Sequence, residues 1–170
     1  MIEVTVDSIR ISLTSHHRVV VLKEQGSDRY LPIWIGACEA DAITVGLQGY
    51  VIARPLTHDL LQSVIDELGG TISHIMVSNL RDDTFYAHIA IHVNGRSMKI
   101  DSRPSDAIAL AVRAKVPMFV ADSVMDRAAI VPGKDDTAPE ISSDEEDRLQ
   151  VFRDFVEGLD LGDLGSSDEG

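Results

Sequence analysis

The chain of 170 residues has a single cysteine, Cys38, so no disulfide can form within it. It also lacks a run of about 18 apolar residues, the length at which a membrane-spanning helix becomes possible. Its first residues show neither the basic segment nor the apolar stretch of a secretory signal peptide. These absences predict a cytoplasmic protein without a membrane partner.

Positive charge is also scarce, with 15 Lys and Arg residues against 28 Asp and Glu residues, a formal net charge of −13. The imbalance is concentrated in residues 134–170, which hold 3 basic and 13 acidic residues and a net charge of −10. Residues 1–133 are nearly balanced, so they show no broad basic surface for nucleic acid. Any phosphate group would have to bind to a local arginine cluster or a metal ion.

Alternating apolar residues predict strands in both halves of the chain. In the first half we predict strands near residues 2–13, 18–24 and 30–35, with a slip of the alternation at Asp7-Ser8 that indicates a β-bulge. A helix over 38–48 follows. In the second half we predict strands near 71–79, 85–93 and 96–101, and Asn94-Gly95 is a strong hairpin signal. A helix over 104–114 and a short strand over 118–121 come last.

The two halves therefore share one order of elements, three strands and then a helix. A shift of the sequence by 65 positions places residues 41–43 on residues 106–108, both Asp-Ala-Ile. We predict an α+β fold of duplicated β3α units, which form a mixed or antiparallel sheet, or a barrel-like core, with helices packed on it. A helix beginning at Thr57, which is a favourable N-cap residue, has no counterpart. Its apolar stripe predicts an amphipathic helix.

The predicted domain covers residues 1–131. A linker without periodicity follows over 132–141. A Ser143/Glu146 capping pattern and an apolar stripe predict an amphipathic C-terminal helix over 142–159. The acidic, Gly- and Ser-rich end over 160–170 is typical of disorder.

Two segments place an arginine just before a helix and an acid in its first turn, residues 54–59 and 101–106. Acids at these positions complement the helix dipole, which is a sufficient structural explanation. Helix N-termini and arginine forks also bind phosphate, and carboxylates can hold a divalent cation that activates water. Glu39 is either a helix-capping residue or a partly buried catalytic acid. His58 is either a surface histidine or a general base.

The same segments resemble the bifunctional nuclease domain family. The resemblance rests on residues 31–36 with Glu39-Ala40, on residues 54–61 and 85–87, and on the ungapped stretch 101–111, and it covers about residues 1–130. It implies a compact α+β fold that is usually oligomeric and a nuclease activity on both RNA and DNA.

On the matched positions we predict a metal-assisted nuclease that hydrolyses phosphodiester bonds of RNA and DNA. The predicted catalytic residues are Glu39, His58, Asp59, Asp101 and Asp106, and the predicted substrate-binding residues are Arg54 and Arg103. The carboxylates at positions 39, 59, 101 and 106 are candidate ligands for Mg²⁺ or Mn²⁺. We also predict a homo-oligomer, with a dimer favoured. The alternative is a non-catalytic interaction or small-ligand module, in which the same residues are structural ion pairs.

Overall fold

A computed structural model describes residues 1–11, 18–50 and 52–132. The strands are β1 (Ile2–Ile11), β2 (Arg18–Glu24), β3 (Tyr30–Ile35), β4 (Gly70–Arg81), β5 (Thr84–Val93), β6 (Arg96–Ser102) and β7 (Met118–Val120). The helices are α1 (Ala37–Gln48), α2 (Thr57–Glu67), α3 (Pro104–Ala114) and α4 (Asp122–Ala128). The strands form one seven-stranded sheet in the order β3-β2-β1-β7-β4-β5-β6.

The sheet consists of two antiparallel meanders on either side of one short strand. β1, β2 and β3 pair in sequence and lead into α1, and β4, β5 and β6 pair in sequence before α3. β7 lies between them, antiparallel to β1 and parallel to β4. This topology confirms the α+β fold with helices packed on a mixed sheet. The two halves have the same connectivity, and their superposition stays a prediction.

The local turn and bulge signals are confirmed. The register between β1 and β2 shifts between Val6 and Ser8, where the alternation slips. Asn94 and Gly95 connect β5 to β6 with φ angles of 50° and 75°. A type I′ turn requires positive φ at both central residues, which explains why this dipeptide closes the hairpin.

Helix α3 lies at the centre of the core, because residues 107–111 (Ala-Ile-Ala-Leu-Ala) are all buried. It packs against α1, α2, β4 and β5. Gly46 of α1 lets the first helix approach closely, since a Cβ there would lie 2.6 Å from Val112 Cγ2 of α3. This close packing fixes the position of α1 relative to α3.

Helix α2 is less buried than its apolar stripe predicts. Leu60, Val64 and Leu68 are 56%, 45% and 72% exposed, and only His58 of this helix is buried. The helix packs with α3 and β4, so one side of it is covered and the leucine side faces outward. Cys38, in the first turn of α1, is also exposed.

Several predictions concern residues outside the described ranges. The linker over 132–141 is described only at Pro132, and the helix over 142–159 and the acidic end over 160–170 are not described. Within residues 1–11, 18–50 and 52–132, no helix combines the length and the apolar character needed to cross a membrane.

Candidate functional site

The candidate site lies where the N-termini of three helices meet. Glu39, Asp59 and Asp106 are each the third residue of their helix, in α1, α2 and α3 respectively. A carboxylate in the first turn is stabilised by the unpaired N–H groups and the positive end of the helix dipole. The sequence therefore places all three acids for local reasons, and the packing of the helices brings them into one region.

Arg103 connects two of these helices. Its Nε donates to Asp106 Oδ2 at 2.6 Å and its Nη2 donates to Asp106 Oδ1 at 3.0 Å. The same Nη2 lies 2.9 Å from Glu39 Oε1. The Arg103 side chain is 65% exposed, whereas those of Glu39 and Asp106 are 19% and 30% exposed. Two partly buried carboxylates therefore hold a guanidinium group that faces solvent.

Gly36 makes room for the Glu39 carboxylate. It is the N-cap residue of α1 and directly follows β3. A Cβ at Gly36 would overlap the Glu39 carboxylate oxygen Oε2. The glycine thus lets Glu39 fold back over the start of its own helix, toward Arg103.

His58 is buried beside Asp106, and not on the surface. It is the second residue of α2, is 9% exposed, and its Nε2 lies 3.4 Å from Asp106 Oδ1. Burial alone would raise the pKa of Asp106, but the Arg103 guanidinium and His58 together hold it below its ordinary value. In the tautomer with its proton on Nε2, His58 donates to the Asp106 carboxylate and leaves Nδ1 as an acceptor.

Asp59 is held by a buried arginine that we did not predict. Arg113 Nε lies 2.6 Å from Asp59 Oδ1, and Arg113 Nη1 donates to the carbonyl oxygens of Ala42 and Ala109 at 2.9 and 2.7 Å. The Arg113 side chain is only 6% exposed. The other Asp59 oxygen accepts the N–H of Leu56 at 2.8 Å. Leu56, and not Thr57, is therefore the N-cap residue of α2.

Both oxygens of the Asp59 carboxylate are held by donors of the protein itself. Burial would raise the pKa of Asp59, but the hydrogen bonds from Leu56 and Arg113 hold it below its ordinary value. One oxygen accepts from Leu56 and the other from Arg113. Since Arg113 lies on α3 and also donates to the Ala42 carbonyl oxygen of α1, it connects α2 with both helices. A signal for this arginine exists in the sequence: Arg113 follows the apolar run 107–112, and a cation on a buried helix needs a partner.

The remaining two predicted residues lie outside the cluster. Arg54 precedes α2 and lines a cleft beside Asp59 and Arg113. Asp101 is exposed on β6, in register with His88 of β5, and makes no hydrogen bond or ion pair with the described part of the site. The structure thus brings together Glu39, His58, Arg103 and Asp106, places Asp59 beside them and Arg54 in the neighbouring cleft, and leaves Asp101 apart.

The described side chains form no preassembled metal site. Mg²⁺ is usually held by one or two carboxylates together with waters and substrate phosphates, so the Mg²⁺ or Mn²⁺ site stays a prediction. Within residues 1–11, 18–50 and 52–132, no three or more His, Cys, Asp or Glu side chains are grouped to hold an ion. The Arg103 guanidinium bridges the Glu39 and Asp106 carboxylates, so a positive charge already occupies the position between them.

The structure thus has an α+β fold with a cluster of arginine, carboxylate and histidine where three helix N-termini meet. The chain belongs to the bifunctional nuclease domain family, because the model of the bifunctional nuclease domain matches residues 20–132. The resemblance stated from the sequence is thereby confirmed.

Relatives fall into two groups. A protein of Mycobacterium tuberculosis, described as uncharacterised, is 36% identical over 162 residues, which are 95% of this chain and 97% of that protein. Bifunctional nuclease 1 of Oryza sativa subsp. japonica is 28% identical over 108 residues, and Bifunctional nuclease 2 of Arabidopsis thaliana is 30% identical over 108 residues. These matches cover 62% and 61% of this chain and 33% of each plant protein.

Proposed function

We propose that this protein is a nuclease that hydrolyses phosphodiester bonds of RNA and DNA, with His58 transferring the proton and Arg103 binding the phosphate. The observation that carries the proposal is the pairing of buried His58 with partly exposed Asp106, beside the exposed guanidinium of Arg103. The plant relatives named bifunctional nucleases support the same class of activity.

Arg103 is suited to bind a phosphodiester. Its Nε and Nη2 are used by Asp106 and Glu39, while Nη1 makes no hydrogen bond to the described residues. An exposed guanidinium donates charge-assisted hydrogen bonds to phosphate oxygens, and these bonds strengthen as negative charge builds up in the transition state. The two carboxylates fix the orientation of the guanidinium before substrate arrives.

His58 supplies the proton transfer. Nδ1 accepts a proton from the attacking water as the water oxygen forms a bond to phosphorus, and Asp106 stabilises the resulting imidazolium. The bond from phosphorus to the leaving oxygen then breaks, and that oxygen receives the proton from His58. A general base of this kind contributes about 10²–10⁴-fold in rate. Asp59 keeps α2, and with it His58, in place through Arg113.

The test is cleavage of labelled single-stranded RNA and DNA by the purified full chain, with and without EDTA. We expect cleavage of both polymers that persists in EDTA, and a loss of about 100-fold or more in His58→Ala. His92→Ala is the matched control, because His92 is an exposed histidine of β5 outside the cluster. Equal rates for the two histidine variants would contradict the role of His58, and loss of cleavage in EDTA would contradict a site without a metal ion.

We also propose that the protein is a homo-oligomer, with a dimer favoured. Leu60 of α2, Leu68 directly after this helix, and Met98 and Ile100 of β6 are 56%, 72%, 47% and 42% exposed. Such apolar side chains are typical of surfaces that a second molecule covers. The same observation favours the alternative function, a non-catalytic interaction module. Light scattering tests the assembly, and a strict monomer at micromolar concentration would refute it. An oligomer without cleavage would support the alternative.

A further inference from the structure

A cleft of about 490 Å³ lies beside the candidate site. It is bounded by the end of α1, by residues 49, 50, 52, 54 and 55, by α2, and by the end of α3 with Lys115. Its volume falls in the range of about 300–1,000 Å³ that small-molecule sites occupy. Its lining includes Tyr50, Arg54, Gln62, Arg113 and Lys115.

The cleft combines cations with an aromatic ring. Arg54 and Lys115 are exposed at its edge. Arg113 lies beneath them, and its Nη2 is buried without a hydrogen-bond acceptor among the described residues. A buried donor without a partner is unfavourable, so an acceptor that reaches Arg113 Nη2 from the cleft would be stabilised there. Tyr50 is 65% exposed, and a flat ring in this position can stack on another ring.

We propose that this cleft binds one nucleotide of a single-stranded nucleic acid, next to the phosphodiester that is cleaved. The base stacks on Tyr50 and reaches the Gln62 amide, and the phosphate group binds to Arg54 and Lys115. The inference rests on the proposed function and names a substrate subsite for it.

The helix ends decide which part of the nucleotide lies deeper. The C-terminal ends of α1 and α3 face the cleft through Gly46, Gly49, Val112 and Arg113. Carbonyl groups at helix C-termini repel an anion, so the phosphate stays at the edge with the exposed cations and the neutral base lies inside. An unpaired base is needed for stacking, which favours single strands over duplexes.

The cleft and the candidate site are connected through α2. Asp59 lines the cleft, and the preceding residue, His58, contacts Asp106 in the site. A strand bound with its reacting phosphate at Arg103 would therefore pass its neighbouring nucleotide along the first turn of α2 into the cleft.

The experiment is calorimetric titration of the full chain with adenosine 5′-monophosphate and, separately, with inorganic phosphate. We expect Tyr50→Ala to weaken nucleotide binding by about fivefold or more. Tyr86→Ala is the matched control, since Tyr86 is also an exposed tyrosine but lies on β5 away from the cleft. Arg54→Gln should weaken binding and reduce its dependence on salt, whereas Arg96→Gln on β6 should not.

The outcomes separate this inference from the proposed function. The His58→Ala variant should bind the nucleotide as tightly as the unchanged chain does, although its cleavage rate falls by about 100-fold or more. Phosphate binding as tightly as the nucleotide would overturn the stacking role of Tyr50. Cleavage without nucleotide binding would overturn the subsite and leave the nuclease function standing. Nucleotide binding without cleavage would support the subsite and contradict the function.

Discussion

Replacement of Arg113 by methionine should destabilise the fold. This side chain is 6% exposed and joins three helices, since it binds Asp59 of α2 and the carbonyl oxygens of Ala42 in α1 and Ala109 in α3. Methionine keeps the apolar stem of the side chain and removes the guanidinium, so the variant tests the polar contacts with little loss of packing volume.

The expected loss of stability depends on which hydrogen-bond partners of Arg113 are left without a donor. A hydrogen bond to a charged group contributes about 1.5–3 kcal/mol. The two carbonyl oxygens lie inside helices and keep their helical N–H donors, so their loss is small. Asp59 is 35% exposed and keeps the Leu56 N–H, which reduces its penalty through solvent screening. Removal of the unpaired Nη2 is a partial gain. The net expectation is a loss of about 1–2 kcal/mol in the free energy of unfolding.

Urea denaturation of the full chain measures this loss. The midpoint should fall without a change in the m-value, because the variant changes stability and not the surface exposed on unfolding. Arg96→Met on the exposed strand β6 is the control and should change the free energy of unfolding by less than about 0.5 kcal/mol. A similarly small change in Arg113→Met would refute the role assigned to this arginine.

Two further predictions concern the acids of the site. The Gly36→Ala variant should cleave more slowly, because the added Cβ displaces the Glu39 carboxylate from Arg103. Its free energy of unfolding should change by less than about 1 kcal/mol. A large loss of stability in urea would instead indicate damage to the fold. The pKa values of Asp59 and Asp106 are lowered in the folded chain, so their contribution to stability is present above the ordinary Asp pKa of about 3.9 and is lost as the pH falls through their folded values. Urea midpoints measured from pH 6 to pH 3 should therefore fall more in the unchanged chain than in Asp106→Asn, and equal falls would contradict the pairing.

The strands, turns and first-turn acids could be predicted because their signals are local. Alternation with a slip at Asp7-Ser8 and the Asn94-Gly95 turn each depend on a few neighbouring residues, and both are present in the structure. Arg103 and Asp106 are three positions apart, so their pairing is also a local expectation.

Contacts between distant segments could not be predicted in this way. Glu39 meets Arg103, and Asp59 meets Arg113, only because α1 and α2 both pack on α3. The stripe on α2 shows which side is apolar, but not whether another element of the same chain covers it. Asp101 shares a sequence motif with Asp106 but lies on the edge strand β6, apart from the cluster, so a shared motif did not predict a shared position.

The most direct test of the joint role of His58 and Asp106 is a comparison of cleavage rates. The variants to compare with the unchanged chain are His58→Ala, Asp106→Asn and the double variant. We expect the cleavage rate of each single variant to fall by about 100-fold or more. The double variant should be no slower than the slower single variant, because the two residues act as a unit. If the double variant lost the product of the two single-variant factors, or if Asp106→Asn kept full activity, the joint role of His58 and Asp106 would be contradicted.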